Sequence, residues 1–219
     1  MNIPLLNRLK KKSQRDVALL EDVLVRMLYE IDSTAEVHGG TVVWRCFGGR
    51  RFSKDVDVYL KSTEALEALK ARIPAMAGKY GAKVLKFKDT GNLVYAELLM
   101  GDVYSEIDIN YKRYYGNPEM RAYENLDGSF YDILIPSPED LLLEKIDAYN
   151  DRRSISDIYD MRVLIDSVKI NGVKEELAAF LSSVQAPARE EERRIGDLIY
   201  EGPIPTFNGL IGYLKGKMP

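Results

Sequence analysis

Residues 38–60 read HGGTVVWRCFGGRRFSKDVDVYL. Asp55 and Asp57 stand two apart in Asp55–Leu60, whose alternation predicts a β-strand. Both carboxylates then share one face, with Val56 and Val58 on the other. Adjacent carboxylates repel unless cations or water surround them. Mg²⁺ takes carboxylate oxygens together with substrate phosphates, so the pair suits an ion gripped over a nucleoside triphosphate. Upstream, Gly39-Gly40-Thr41 leads into Val42–Phe47, predicted as a short helix that Gly48-Gly49 breaks. Glycines let backbone amides approach phosphates, and a helix N-terminus favours anions. Each signal alone also describes an ordinary turn or a solvent-facing strand; together they are far more specific.

Around this stretch, apolar spacing predicts a helix over Asp16–Ile31 and a short strand at Ala35–His38. A helix over Glu64–Tyr80 follows, bent or interrupted at Pro74. Strands are predicted at Ala82–Lys88, Leu93–Met100, Val103–Tyr111 and Ile133–Ile135, with 112–131 polar and turn-prone. Ser137-Pro138-Glu139-Asp140 is a helix start: a capping Ser, Pro at the first position, acids in the first turn. Helical patterns then cover roughly 138–150, 155–168, 173–183, 188–199 and 206–215. The expected architecture is α+β: a mixed sheet flanked by helices over 1–135, followed by a helical domain over 136–219.

The strand Val103–Tyr111 places Tyr104, Glu106, Asp108 and Asn110 on one face. Asp108, between Ile107 and Ile109, becomes a third acid if its strand neighbours the first; Glu106 is its rival. Three carboxylates can hold two ions, one activating an attacking hydroxyl and one stabilising leaving phosphates. In the helical half, Lys145 and Arg152 are seven apart on one helix face, and Asp157 and Asp160 are three apart on another. Lys145 can neutralise a triphosphate, and Asp160 can orient Lys145 or a substrate hydroxyl. For Asp157 the local alternative is a capping box with Ser154.

Composition limits the alternatives. The chain has 219 residues, 46% hydrophobic and 30% charged, with a net charge of −3. No apolar run approaches the ~20 residues a membrane span needs, and Met1–Arg15 lacks a signal-peptide pattern. Cys46 and His38 are each the sole residue of their kind. A Cys/His zinc site is excluded, as is a Ser-His-Asp triad without His38. The lone cysteine fits a reducing cytoplasm. Basic residues cluster at 8–15, 45–54 and 83–88. The first and third clusters read as solvated faces; in the second, Arg50, Arg51 and Lys54 are phosphate contacts or a screen for the aspartates. Trp44, Tyr111, Tyr114, Tyr115, Tyr123 and Tyr131 either stack on bases or pack the interior.

The glycine turn, followed by Arg51-Phe52-Ser53-Lys54-Asp55-Val56-Asp57, resembles the AbiEii/AbiGii toxin family within the polymerase-beta-like nucleotidyltransferases. The likeness covers roughly 36–165. It includes Lys145, Arg152 seven later, and Asp157-x-x-Asp160, with Ser156 where the family usually has Arg. The resemblance implies that Asp55, Asp57 and Asp108 bind Mg²⁺ or Mn²⁺. Gly39, Gly40, Thr41, Ser53, Arg51, Lys54, Arg152 and Asp157 would line the nucleotide site, with Lys145 and Asp160 joining the catalytic acids. It implies transfer of NMP from an NTP to an acceptor hydroxyl of RNA or tRNA, by a toxin with a cognate antitoxin. Small-molecule or protein acceptors, or a non-catalytic nucleotide-binding role, are the alternatives.

Overall fold

In the computed structural model, residues 3–60, 63–91, 93–110, 116 and 118–219 are described, with backbone alone for 63–66 and 69. The chain runs through α1 (Leu5–Arg8), α2 (Lys12–Ile31), β1 (Glu36–His38), α3 (Gly39–Cys46), β2 (Asp55–Tyr59) and α4 (Thr63–Lys79). Next come β3 (Lys83–Asp89), β4 (Leu93–Met100), β5 (Val103–Asn110), β6 (Glu119–Glu124) and β7 (Phe130–Ile135). Five helices follow: α5 (Pro138–Arg152), α6 (Ile155–Leu164), α7 (Lys174–Ser183), α8 (Arg189–Leu198) and α9 (Phe207–Lys217), with a 3-10 turn at Ile170–Gly172.

The strands form one mixed sheet in the order β3-β4-β5-β2-β1-β7-β6. At its centre, β2 pairs in parallel with β5 and antiparallel with β1. Val56, Val58, Ile107 and Ile109 are fully buried, on the face of β2 and β5 that packs against α2. The aspartates emerge on the opposite face, as alternation requires. This is the expected α+β architecture.

One apolar cluster runs from Leu20 through the sheet to Leu214 in α9. A second joins Leu5, Leu9, Ala18, Trp44, Leu126 and Tyr200. Among the described residues no helix is long and apolar enough to cross a membrane.

Several boundaries differ from the sequence reading. The turn out of β1 occurs at Gly39 itself (φ +73°), so α3 begins there and not at Val42. The polar stretch 112–131 hides β6, an edge strand half exposed to solvent and so without apolar alternation, hairpinned to β7. The helix α4 continues through Pro74, and α6 ends at Leu164. Ser137 caps α5 as expected, accepting a hydrogen bond from the Asp140 amide at 3.1 Å. Ser154 precedes α6 but makes no side-chain cap; its hydroxyl instead meets Ser156 and Glu191. The lysines of the first and third basic clusters are exposed, whereas Arg8 is half-buried and paired with Glu124. Tyr123 is buried under Arg45. Tyr131 packs against Tyr123, while Tyr111, Tyr114 and Tyr115 lie outside the described residues.

Candidate active site

Asp57 and Asp108 are register partners across the parallel β2–β5 pair, and Asp55 lies on the same face one pleat earlier. Glu106, the rival third acid, is the register partner of Asp55. It does not line the cleft of about 450 Å³ that Asp55, Asp57 and Asp108 share. Burial pushes the Asp55 carboxyl up to about 6; neighbouring Asp57 adds to this and Lys54 opposes it. Burial, then the charges of Asp57 and Asp55, also push Asp108 to about 6. Each repelled carboxylate is stabilised by a proton or a cation.

The opposite lip is the start of α3. A Cβ on Gly39 would collide with the Asp57 carboxylate, so the backbone there lies directly against that acid. A Cβ on Gly40 would fall 2.5 Å from Arg51 Nη2 and 2.6 Å from Ser53 Oγ. Gly40, Arg51 and Ser53 thus form one wall, with the helix N-terminus beside it. Thr41 is fully buried and turned away; its hydroxyl donates to the Asp55 carbonyl at 2.7 Å and holds β2 against α3. Lys54 is exposed and does not line the cleft.

The helical half closes the site with an ion network built around the fully buried Asp157 and Asp160. Arg51 donates from Nε and Nη2 to the two oxygens of Asp160, both at 2.6 Å. Lys145 Nζ lies 2.8 Å from Asp160 and 3.5 Å from Asp157. Arg152 forks onto Asp157 at 2.8 and 2.7 Å. Burial raises the Asp160 pKa, but Arg51 and Lys145 outweigh it and hold the carboxyl below its usual range. Three cations against two fully buried aspartates leave one net positive charge facing the acids of the sheet. Asp157 therefore serves Arg152 and Lys145, and no capping box forms.

Sequence reasoning missed part of the wall. Ser154, Ser156, Glu191 and Arg194 line the same cleft, the last two from α8. Ser156, at the position of the missing arginine, thus has Arg194 as a co-lining cation; α8 carries no local motif that announces this. A second chamber of about 770 Å³ adjoins Gly39, Asp57 and Lys145. Its wall includes Asp140, Glu144, Asp147 and Asp151, with His38 stacked at 3.7 Å on Tyr59 and its Nδ1 3.3 Å from Glu144.

The chain carries no group of three His, Cys, Asp or Glu side chains that could by themselves hold a metal, among the described residues. Two oxygens nevertheless fit one: Asp55 Oδ1 and Asp108 Oδ1 are buried without a hydrogen-bond partner. A divalent cation that completes its shell with phosphate oxygens would satisfy both.

Acids on the central strands of a mixed sheet, opposed to a glycine-started helix, define a nucleotidyltransferase. Residues 22–206 match the family described as the nucleotidyl transferase AbiEii toxin of type IV toxin–antitoxin systems, and the chain belongs to that family. Its fold is similar to that of MenT4, a nucleotidyltransferase toxin of Mycobacterium tuberculosis. The two share 16% identity at a TM-score of 0.66, over 94% of this chain and 84% of that one. It is also similar to JHP933 of Helicobacter pylori, at 15% identity and a TM-score of 0.60, over 91% and 89%. No curated protein matches in sequence.

Proposed function

We propose that the enzyme binds an NTP in the cleft and transfers its nucleoside monophosphate to an acceptor hydroxyl, releasing pyrophosphate. The supporting observation is that Asp55, Asp57 and Asp108, two of them with orphaned oxygens, line one cleft with Gly40, Arg51, Lys145 and Arg152. The amides at the start of α3 and the Ser53 hydroxyl receive the triphosphate. Arg51, Lys145 and Arg152 neutralise it, and Asp157 and Asp160 hold those cations in place. Asp55, Asp57 and Asp108 would hold Mg²⁺ or Mn²⁺, which when bound activates the attacking hydroxyl and neutralises charge on the phosphates. The division into a sheet-rich part (1–135) and a helical part (136–219) serves this site, because the ion network joins Arg51 to Lys145 and Asp160.

The acceptor proposed is RNA, particularly tRNA, with the protein acting in the cytoplasm; the family description supports a toxin restrained by a cognate antitoxin. A cationic small molecule is the second reading, favoured by the carboxylates of the larger chamber, which repel a phosphate backbone. Incubation with labelled NTPs and Mg²⁺, with tRNA or a polyamine-type acceptor in turn, separates the two. Label on tRNA that is lost in Asp57→Asn supports the first. Label only on the amine supports the second, and label on neither acceptor refutes both.

A further inference from the structure

The loop between α3 and β2 carries Arg51 and Ser53, yet it belongs to no strand of the sheet. Residues 198–200, at the end of α8, hold it. Arg51 and Ile199 form an isolated antiparallel bridge. The Phe52 amide donates to the Leu198 carbonyl at 2.8 Å, and the Tyr200 amide donates to the Arg50 carbonyl at 3.1 Å. The Tyr200 side chain, 5% exposed, closes the arrangement. Its hydroxyl accepts from Trp44 Nε1 at 3.2 Å and donates to the Gly49 carbonyl at 3.0 Å. Trp44 belongs to the helix whose first residues are Gly39 and Gly40. Phe52 lies edge-on to the Trp44 ring at 5.0 Å. A single buried hydroxyl therefore ties the glycine-started helix to the loop that brings Arg51 and Ser53 up against Gly40.

Resting on the proposed nucleotide site, we infer that Tyr200 is a positioning residue for triphosphate binding: with the Leu198–Tyr200 bridge it fixes the Arg51–Ser53 wall relative to the start of α3. Tyr200 touches no substrate and acts through those two side chains. Arg51 and Ser53 grip the triphosphate before and during transfer, so slack in the latch weakens ground state and transition state alike. Uniform loss of binding raises KM and leaves kcat.

The test compares wild type, Tyr200→Phe and Asp57→Asn for NTP transfer and for equilibrium binding of a fluorescent NTP. Tyr200→Phe keeps the ring and removes the hydroxyl, leaving two buried groups unpaired. KM and the dissociation constant for the NTP are expected to rise about tenfold, with kcat within about twofold, the scale of one lost buried hydrogen bond. A Tyr200→Phe enzyme with lower thermal stability but unchanged KM overturns the latch and leaves the function standing. A wild type that neither binds nor transfers overturns both. If Tyr200→Phe does not fold, amide exchange on the wild-type chain decides. Protection at Phe52 and Tyr200 that increases with added NTP supports the latch; protection that NTP does not change overturns it.

Discussion

Asp57 and Asp108 sit directly opposite one another in the parallel register of β2 and β5, with no residue between them. Such a placement costs the apo-protein stability, because both charges share one partly dry face. On the proposed mechanism, it becomes an advantage when a divalent ion occupies the gap. Replacing either by Asn should abolish NMP transfer, by at least about a thousandfold, while the melting temperature stays level or rises. A variant of either that retains transfer would remove that acid from the mechanism.

The two raised carboxyls also predict how stability follows pH. Asp55 and Asp108 lie near 6 in the folded chain, against an ordinary value of 3.8. The native state therefore holds more protons than the unfolded chain between those values, and stability falls as pH rises through the window. Metal-free protein should lose melting temperature from about pH 4 to 6 relative to an Asp55→Asn, Asp108→Asn double variant. Mg²⁺ at pH 7 should restore it in wild type alone. Equal profiles for the two proteins, scanned by calorimetry with and without Mg²⁺, would contradict this.

Asp160 behaves in the opposite way. It is fully buried and holds Arg51 and Lys145 at 2.6–2.8 Å. Asp160→Asn keeps the volume but removes the charge that pairs Arg51 and leaves Lys145 with only Asp157 at 3.5 Å, a loss of about 3–5 kcal/mol. The expected fall in melting temperature is on the order of 10 °C, together with loss of NTP binding. An Asn variant as stable as wild type would show that the network is not what joins the two halves.

The contrast between these aspartates shows what a sequence can disclose. Asp55 and Asp57 were legible because strand alternation alone dictates their common face, whereas Asp108 joins them only through the β2–β5 pairing, which alternation does not reveal. Lys145, Arg152, Asp157 and Asp160 were legible as helix-face pairs, and Asp160 as a partner of Lys145; Arg51 was not, because nothing local to Asp160 points to a residue 109 positions away. The edge strand β6 was hidden because its exposed side carries no apolar alternation. Tyr200 was hidden for the same reason as Arg51's partner, since its contacts with Trp44 and Gly49 span more than 150 residues. Glu21 and Asp22 are charged residues inside the predicted helix α2 that turn out buried, beside Arg45 at 3.1 and 3.2 Å, with Tyr123 and the Leu126 amide also donating to Asp22.

Gly39 and Gly48 offer a controlled comparison within one short segment. Both have left-handed backbones, with φ of +73° and +70°. Replacing either by Ala incurs a similar conformational cost, roughly 1–2 kcal/mol. They differ in what stands in front of them. A Cβ on Gly48 meets nothing within 4 Å, whereas one on Gly39 runs into the Asp57 carboxylate. Gly39→Ala must therefore displace Asp57 or the start of α3, either of which, on the proposed mechanism, disrupts the approach of the triphosphate to the acids. Both variants should lose a few degrees of melting temperature, but only Gly39→Ala should lose transfer, by more than about a hundredfold for an ångström-scale displacement. Equal activity in the two variants, measured by labelled-NTP transfer, would mean that Gly39 serves only as a turn.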